Sequence, residues 1–493
     1  MSTDVGSAPA ATRRSQARKR RSRAFGLAFA TVVGVLLVAG LAGAAAGTAQ
    51  GPRVTDAQFD RKAAVATSGS RLILTTTQAL ADVTHDQVTI TPATPFAVDT
   101  SGRRIGIRFT LPLWDETKYT VKIAGVRGLG GGPETTLTHT FRTGKESFFL
   151  LQRTDDEDTI FRTDLTGRKA VPVFRHAHIE DYRATSSHLI ISVREDAGAS
   201  DGSGGSGDSG DSGGGEVDGT TKLIVTDLAG EHRRTLPLPG EGTVTNLQSA
   251  DRGELVGYTF TDAGIGADGG RESMLFTMSL KDPDAEPQAV QIEGADNRVV
   301  QWRFVPATDR VLFVGFDGTL WLSDKTGKDA VTLGNAVTLD GVSGSTAIVD
   351  RADGLLAVNL ADGTEQPLPT PDTDFGQLRS VVPLPGGGTV RLYAELDEYG
   401  IPGDSIVAFV ADDGTSSTIE HVPVSDAVLR ICVSPNGRYA ATVVAPDIID
   451  NPYDQYLLPM PKRLETHISE IATGDEVVAL AAFDSSWCRV PPQ

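Results

Sequence analysis

Two arginines, two cysteines and one aromatic loop are the residues of this chain whose types and spacing bear on chemistry. Arg303 (in VVQWRFVP, 299–306) and Arg430 (in VLRICVSP, 428–435) sit in similar apolar segments. Guanidiniums there could line a channel and meet an anionic ligand, or pair with the chain's own carboxylates. Cys432 and Cys488 fall at equivalent positions when VLRICVSP and DSSWCRVP (484–491) are aligned on Pro435 and Pro491. That placement predicts a disulfide in an oxidising compartment, with two buried free thiols as the alternative. Tyr453, Tyr456 and Met460 lie in a proline- and aromatic-rich loop, 447–465, whose composition suits a protein partner or packing on the protein's own surface.

Other constellations weaken on inspection. Residues 210–214 read GDSGG, a context that can hold a nucleophilic serine. The surrounding stretch, 198–219, is a Gly/Ser/Asp low-complexity run, and no histidine stands in a context to act as its base. Its aspartates lack the spacing of a calcium loop. His176 and His178, followed by Glu180 and Asp181, would share a face on a strand and suit a metal, but the pattern places them in an exposed loop. His85 and His139 stand alone on strand-like segments. A phosphate loop, HExxH, a GxSxG elbow and a GxGxxG leading into a helix are all absent. No catalytic, cofactor-binding or metal-ligating residue is therefore assigned.

The elements that would position these residues follow from composition. Seven Lys/Arg and one Asp precede residue 24, a balance of +6, so the rest of the chain carries −25 of a total of −19. An acidic body of this kind excludes general nucleic-acid binding, which needs Lys/Arg stripes. With 2 Cys in 493 residues, disulfide scaffolds and Cys-rich metal proteins are excluded too. The uncharged stretch at 24–47 is long enough to span a bilayer, and the cationic stub 1–23 should stay in the cytoplasm. The expected partner of 24–47 is thus the lipid bilayer. The expected location is the plasma membrane, single pass, with the bulk outside, or secreted if 1–49 is a cleaved signal.

From 53 to 144 short runs alternate apolar and polar residues, as in QVTIT (87–91) and Tyr119-Thr-Val121-Lys-Ile123, with a hairpin turn at Asp99–Gly102. Runs of this length and spacing predict a two-sheet sandwich. LPLWDETKYTVKIAGVRGLGG (111–131) and HTFRTG (139–144) resemble the SbsA-type Ig-like domain of bacterial surface proteins. That resemblance implies a spacer or adhesive module without a reaction of its own.

From 146 to 493 one plan recurs: an apolar strand, a polar turn with Asp and Gly, and a second strand, as in TIFRTDLTG (159–167), KLIVTDLAG (222–230) and TLWLSDKTG (319–327). Each reads as the outer hairpin of a propeller blade, with further strands before it. Seven blades fit, or six if the weak repeat at 336–369 is split differently. DSSWCRVP reads as the inner strand missing from blade one, closing the ring. The turn SPNGRY (434–439) resembles that of TolB/WD40-type propellers, and the WD and GH signatures are absent.

The expected fold class is all-β: an Ig-like β-sandwich and a β-propeller behind one N-terminal transmembrane helix. The expected function is a membrane-anchored extracytoplasmic binding or scaffold protein of the bacterial cell envelope. Its partner would be an envelope protein or polysaccharide, with no cofactor. The alternative is an envelope hydrolase or lyase with its site at the channel mouth.

Overall fold

A computed structural model describes residues 25–40, 51–195, 220–250, 252–265 and 270–491. The stub 1–23, residues 24 and 41–47 of the apolar stretch, and the insertion 198–219 lie outside the described residues. Residues 25–40 are helical, and apolar side chains such as Phe25, Leu27 and Leu36 are exposed on that helix. Among the described residues no helix is long and apolar enough to cross a membrane. The described chain is otherwise almost entirely strand and turn, and it divides into two compact units.

The first unit holds two antiparallel sheets. One contains Val54–Phe59, Arg71–Thr76, Arg104–Phe109 and Phe96–Ser101 in that spatial order; the other contains Val88–Thr91, Lys118–Val126 and Thr135–Arg142. Period-two alternation sends Leu72, Leu74, Ile105, Ile107 and Phe109 of the first sheet, and Tyr119, Val121 and Ile123 of the second, into the interior. Aromatic rings bridge the sheets: Phe141 of the second lies 4.2 Å from Phe59 and 6.1 Å from Phe109 of the first, between centroids. The expected hairpin turn forms, with Ser101 paired to Arg104 and Gly102 at φ +57° in the loop. His85 stacks on Phe96 at 4.4 Å, and burial lowers the pKa of His139.

The second unit comprises 62–68, 111–116 and 143–493. Two short segments expected within the sandwich therefore belong to this unit. Among the described residues it contains seven antiparallel sheets in chain order, six of four strands and a first of three. The weak repeat makes a complete sheet of its own, Thr338–Ser343, Thr346–Arg351, Gly354–Asn359 and Glu365–Pro367, so the count is seven and not six. Within each sheet the strands follow one another in sequence, and the first strands of neighbouring sheets meet from the second sheet to the seventh. This is a propeller-like array.

The repeated turn has a plain chemical basis. In Asp164, Asp227, Asp324, Asp362 and Asp413 a carboxylate oxygen accepts the backbone N–H two residues on, at 2.8–3.0 Å. All five carboxyls lie below their usual pKa range: the Thr166 hydroxyl acts most on Asp164 and His232 on Asp227, desolvation of Asp324 is outweighed by its bonds to Thr326 and Lys328, and the backbone bonds act most on Asp362 and Asp413; a glycine with positive φ stands one or three residues after each aspartate. At Gly230 (φ +80°) an added Cβ would fall 1.7 Å from the Val173 carbonyl oxygen, so only glycine fits. The blades pack on one another through apolar faces. Leu312, Val314, Leu320 and Leu322 of the fourth blade meet Leu339, Ala347, Val349 and Val358 of the fifth.

Blade one closes differently from the expected picture. Residues 484–491 form no strand. Phe483 exchanges two backbone bonds with Leu151 at 2.8 Å, and Ser486 bonds Phe149 through both its N–H and its hydroxyl, at 3.0 Å. The chain then turns away, because Asp484 is in the left-handed region (φ +51°) and cannot extend the ladder. Cys432 and Cys488 lie at disulfide distance, with Cα atoms 5.4 Å apart.

Candidate functional site

The first strands of the second to seventh sheets meet one another in turn, and charged residues gather where the second and seventh of them approach the closing segment. The strand Ile179–Ala184 carries Asp181 and Arg183, and the first strand of blade seven, Ala427–Val433, carries Arg430. The closing segment supplies Asp484. Arg183 Nη1 lies 2.7 Å from Asp484 Oδ2 and 2.9 Å from Asp181 Oδ1. Arg430 Nη1 lies 2.9 Å from Asp484 Oδ1, and its Nη2 donates to the Val490 carbonyl. Tyr182 adds a hydroxyl bond of 2.6 Å to the Asp484 carbonyl, and Arg183 Nε donates to the Leu247 carbonyl at 2.9 Å. One carboxylate thus joins two guanidiniums, and the network joins blades two, three and seven to the closing segment.

Burial sets the electrostatics. Desolvation pushes the Asp181 carboxyl up, Arg183 pulls it back, and the neighbouring Asp484 pushes it up again. Desolvation also brings Arg430 down to about 10, with Asp484 opposing. Arg303, the other expected channel arginine, is likewise buried and brought down to about 10. Its Nη1 donates to the Trp302 carbonyl at 2.8 Å, and Asp340 is the carboxylate that acts on it. Arg430 therefore pairs within the protein, and neither arginine is among the cavity-lining residues named below.

Beside this network lies a cavity of about 340 Å³. Asp181, Asp484, Glu180 and Arg153 line it, as do Ser192, Thr245, Asn246 and Gln301. An apolar wall of Val244, Leu247, Val300, Leu457, Met460 and Phe483 completes it. Glu180 Oε1 lies 2.9 Å from His178 Nε2 and 3.4 Å from Arg194 Nε. Arg153 Nη1 lies 2.8 Å from Asp454 Oδ2. Ser192 is buried, and its hydroxyl has no hydrogen-bond partner. Two lining residues, Asn246 (φ +50°) and Asp484 (φ +51°), hold left-handed backbone without being glycine, a kind of strain that clusters at functional sites.

The loop 447–465 forms part of this site's surround. Tyr456 stacks on His178 at 3.8 Å, lies under the Arg153 guanidinium at 3.7 Å, and donates its hydroxyl to Asp158 Oδ2 at 2.6 Å. Met460 is buried against the core of blades one and two. Tyr453 is the one of the three that is exposed, at 55%. Tyr456 and Met460 thus pack on the protein's own surface, because the blade-one edge offers them an arginine, a carboxylate and an apolar floor. The histidine segment is also corrected. Only His178 is left between strands, and Glu180 and Asp181, read as part of a solvated loop, stand on the first strand of blade two.

Two surface groups bring ligand-type atoms within 4.8 Å of one another: Asp227, Glu231 and His232 in one turn, and Glu395, Asp404 and His421 on blade six. Most of these residues are exposed, and His232 is already bonded to Asp227 at 2.8 Å.

The sequence reading missed Asp181, Arg183, Ser192, Asn246 and Asp484. Charge on a strand meant for a propeller's centre is the signal that could have found Asp181 and Arg183. Ser192, on an apolar strand (HLIISVRE), carries no signal.

No family model and no curated protein matches the chain. Solved structures with some likeness include a chain of the mitotic checkpoint complex (11% identity, 60% of this chain and 83% of that one covered, TM-score 0.37). An uncharacterised protein of Listeria monocytogenes EGD-e shares 11% identity over 62% of this chain and 89% of its own, with a TM-score of 0.40. The β-propeller domain of Myceliophteria thermophila Cps50 (Swd1) shares 14% over 62% and 87%, with a TM-score of 0.38. Likenesses this slight carry no argument, and the blades stand on their own strand order.

Proposed function

We propose that this protein is a membrane-anchored extracytoplasmic binding protein whose propeller takes its ligand at the channel mouth. The observation that carries the binding reading is the cavity beside Asp181 and Asp484, lined by Thr245, Asn246 and Gln301 on one side and by apolar side chains on the other. A concave site with an apolar wall and a few convergent polar groups is the usual form of a ligand site. The anchor rests on the uncharged stretch 24–47 behind seven cations. The two sheets of the first unit serve as an Ig-like spacer in this reading, and the two cysteines suit an oxidising location.

The second reading, an envelope hydrolase, is favoured by one observation: two carboxylates, Asp181 and Asp484, stand together at the cavity with one of them pushed up in pKa. Against it, both are held by Arg183, and Asp484 by Arg430 as well, which favours a positioned wall over a free acid and base.

The test is crosslinking in intact cells with the full-length chain carrying a photoreactive residue in place of Val300 or Leu458, two exposed positions at the cavity. An adduct with an envelope component is expected at both positions and not at the remote Val477. Absence of any adduct at the cavity positions, or failure of external protease to reach the body in intact cells, overturns the reading.

A further inference from the structure

The three outer strands of blade six place three ligand-type side chains on one face. Tyr393 of Thr389–Leu396 pairs with Ile406 of Pro402–Val410, which pairs in turn with His421 of Ser416–Val422. Directly opposed residues share a face, and so do residues two apart on a strand, so Glu395, Asp404 and His421 stand together. The register then slips: Gly403 and Asp404 both oppose Glu395, a bulge of the kind that re-aims side chains beside functional sites. A carboxylate oxygen of Glu395, one of Asp404 and a ring nitrogen of His421 all lie within 4.8 Å of one another. The His421 side chain is 52% exposed and that of Asp404 32%, and Glu395 is exposed too, so a solute reaches all three.

Two features separate this group from the protein's other histidine–carboxylate contacts. His178, His188, His232 and His467 each form a hydrogen bond of 2.6–2.9 Å to a carboxylate, which spends those atoms on one another. His421 Nε2 stands 3.3 Å from Asp404 Oδ2 without the alignment of a hydrogen bond. Two ligands at about 2.0–2.1 Å from a tetrahedral zinc are about 3.3–3.4 Å apart, so that separation matches a shared ion. Asp404 is also held in place: its Oδ1 accepts the Val424 N–H at 2.8 Å, which leaves Oδ2 for a further partner. The second feature is uncompensated charge, since among the described residues no Lys or Arg pairs with Glu395, Asp404 or His421. Two carboxylates beside a neutral imidazole attract a dication. The imidazole nitrogen favours a transition metal over calcium or magnesium, which take oxygen ligands.

We propose that Glu395, Asp404 and His421 form a zinc-type metal site on blade six, with water in the remaining coordination position. Three protein ligands and an open position are the arrangement of a zinc that meets a further molecule, whereas structural zinc is closed by four. Glu395, exposed and unpaired among the described residues, closes on the ion. None of the three lines the channel-mouth cavity, so the site stands or falls independently of that reading.

The experiment is calorimetric titration of the full-length, untagged protein in detergent with zinc, manganese and calcium chlorides. Saturable zinc binding is expected, weakened about tenfold or more by each of Glu395→Gln, Asp404→Asn and His421→Ala, since even outer-shell partners of a metal contribute that much. His232→Ala, in the surface turn whose groups already bond one another, should leave that binding unchanged. Manganese and calcium should each bind at least about tenfold more weakly than zinc. Zinc should raise the melting temperature of the parent protein and not that of His421→Ala. Equal melting temperatures of the metal-free proteins separate a lost ligand from misfolding. Cobalt(II) in place of zinc should give the visible absorption of a four-coordinate site, absent from His421→Ala. Zinc binding that is indifferent to the three substitutions overturns the site, as does the absence of any saturable zinc binding. Tighter binding of manganese or calcium than of zinc overturns the zinc-type assignment.

Discussion

Two buried charge clusters in the second unit share an arrangement and differ in what surrounds them. At the channel mouth, Arg183 and Arg430 flank Asp484, with Asp181 beside them. In the turn SPNGRY, Arg438 lies between Asp115, at 3.0 Å, and Glu470, at 2.9 Å, while Tyr439 donates its hydroxyl to Asp115 at 2.9 Å. Asn436 of the same turn accepts the Ser434 hydroxyl through its Oδ1 and donates its Nδ2 to the Leu113 carbonyl, so this cluster seats the segment 111–116. Its partners are all protein groups. The channel cluster instead opens onto a cavity with an unbonded hydroxyl. The first network lies against a cavity and can position the cavity's wall, whereas the second is enclosed by protein groups and acts as a clamp.

The largest effect should come from cutting the channel network at its centre. Asp484→Ala leaves two guanidiniums without their shared, nearly inaccessible carboxylate, and the expected loss is about 3–5 kcal/mol in urea unfolding. A loss under about 1 kcal/mol would show that the cluster does not hold the ring. Replacing Cys432 and Cys488 by serine opens a cross-link spanning 56 residues between the two regions, with an expected loss of about 2–4 kcal/mol. Equal stability of oxidised and reduced protein would contradict the closure described for blade one.

Arg438→Met should be milder, about 1–2 kcal/mol, because that side chain is partly exposed and its loss removes a clamp at the edge. It should leave crosslinking from Val300 and Leu458 unchanged; weakened crosslinking would erase the distinction between the two clusters.

Two further tests are in pH. Burial and the nearby Asp115 push the Glu146 carboxyl up from 4.5 to about 8, so the folded state holds that proton more tightly than the unfolded chain. Stability from this group therefore falls as pH rises from about 4.5 to about 8. Glu146→Gln should raise the melting temperature at pH 9 and not at pH 4. His467 is raised from 6.5 to about 9 by its hydrogen bond to Glu420, 2.6 Å away. Its contribution is complete below about 6.5 and is lost as pH rises through about 9. Glu420→Gln should flatten that part of the profile; an unchanged slope would contradict the assignment.

The two clusters also mark what can be read in a sequence. Alternation, Asp–Gly turns and the repeat length made the two-sheet unit and the blades legible, because burial on one face and a turn at fixed spacing are local properties. SPNGRY was legible as a turn for the same reason, and it proved to be a clamp. The cysteine pairing followed from aligning two inner segments. The cavity was not legible. Asp181 and Asp484 stand 303 positions apart and meet only because the ring closes. Arg303 and Arg430 were visible as channel arginines, but not that one would be paired with Asp484 and the other turned to a backbone carbonyl. For Tyr456 the sequence left a protein partner and the protein's own surface equally open, because its contacts, Arg153, Asp158 and His178, come from blade one and the connection to blade two.

Hydrogen exchange of the full-length protein, with and without a saturating cell-envelope extract, tests the central claim most directly. The account predicts slowed exchange in 179–184, 242–249 and 483–491, the segments around the cavity, and no change in the clamp at 434–439. Protection at 434–439 instead, or unchanged exchange in all three cavity segments, would contradict it.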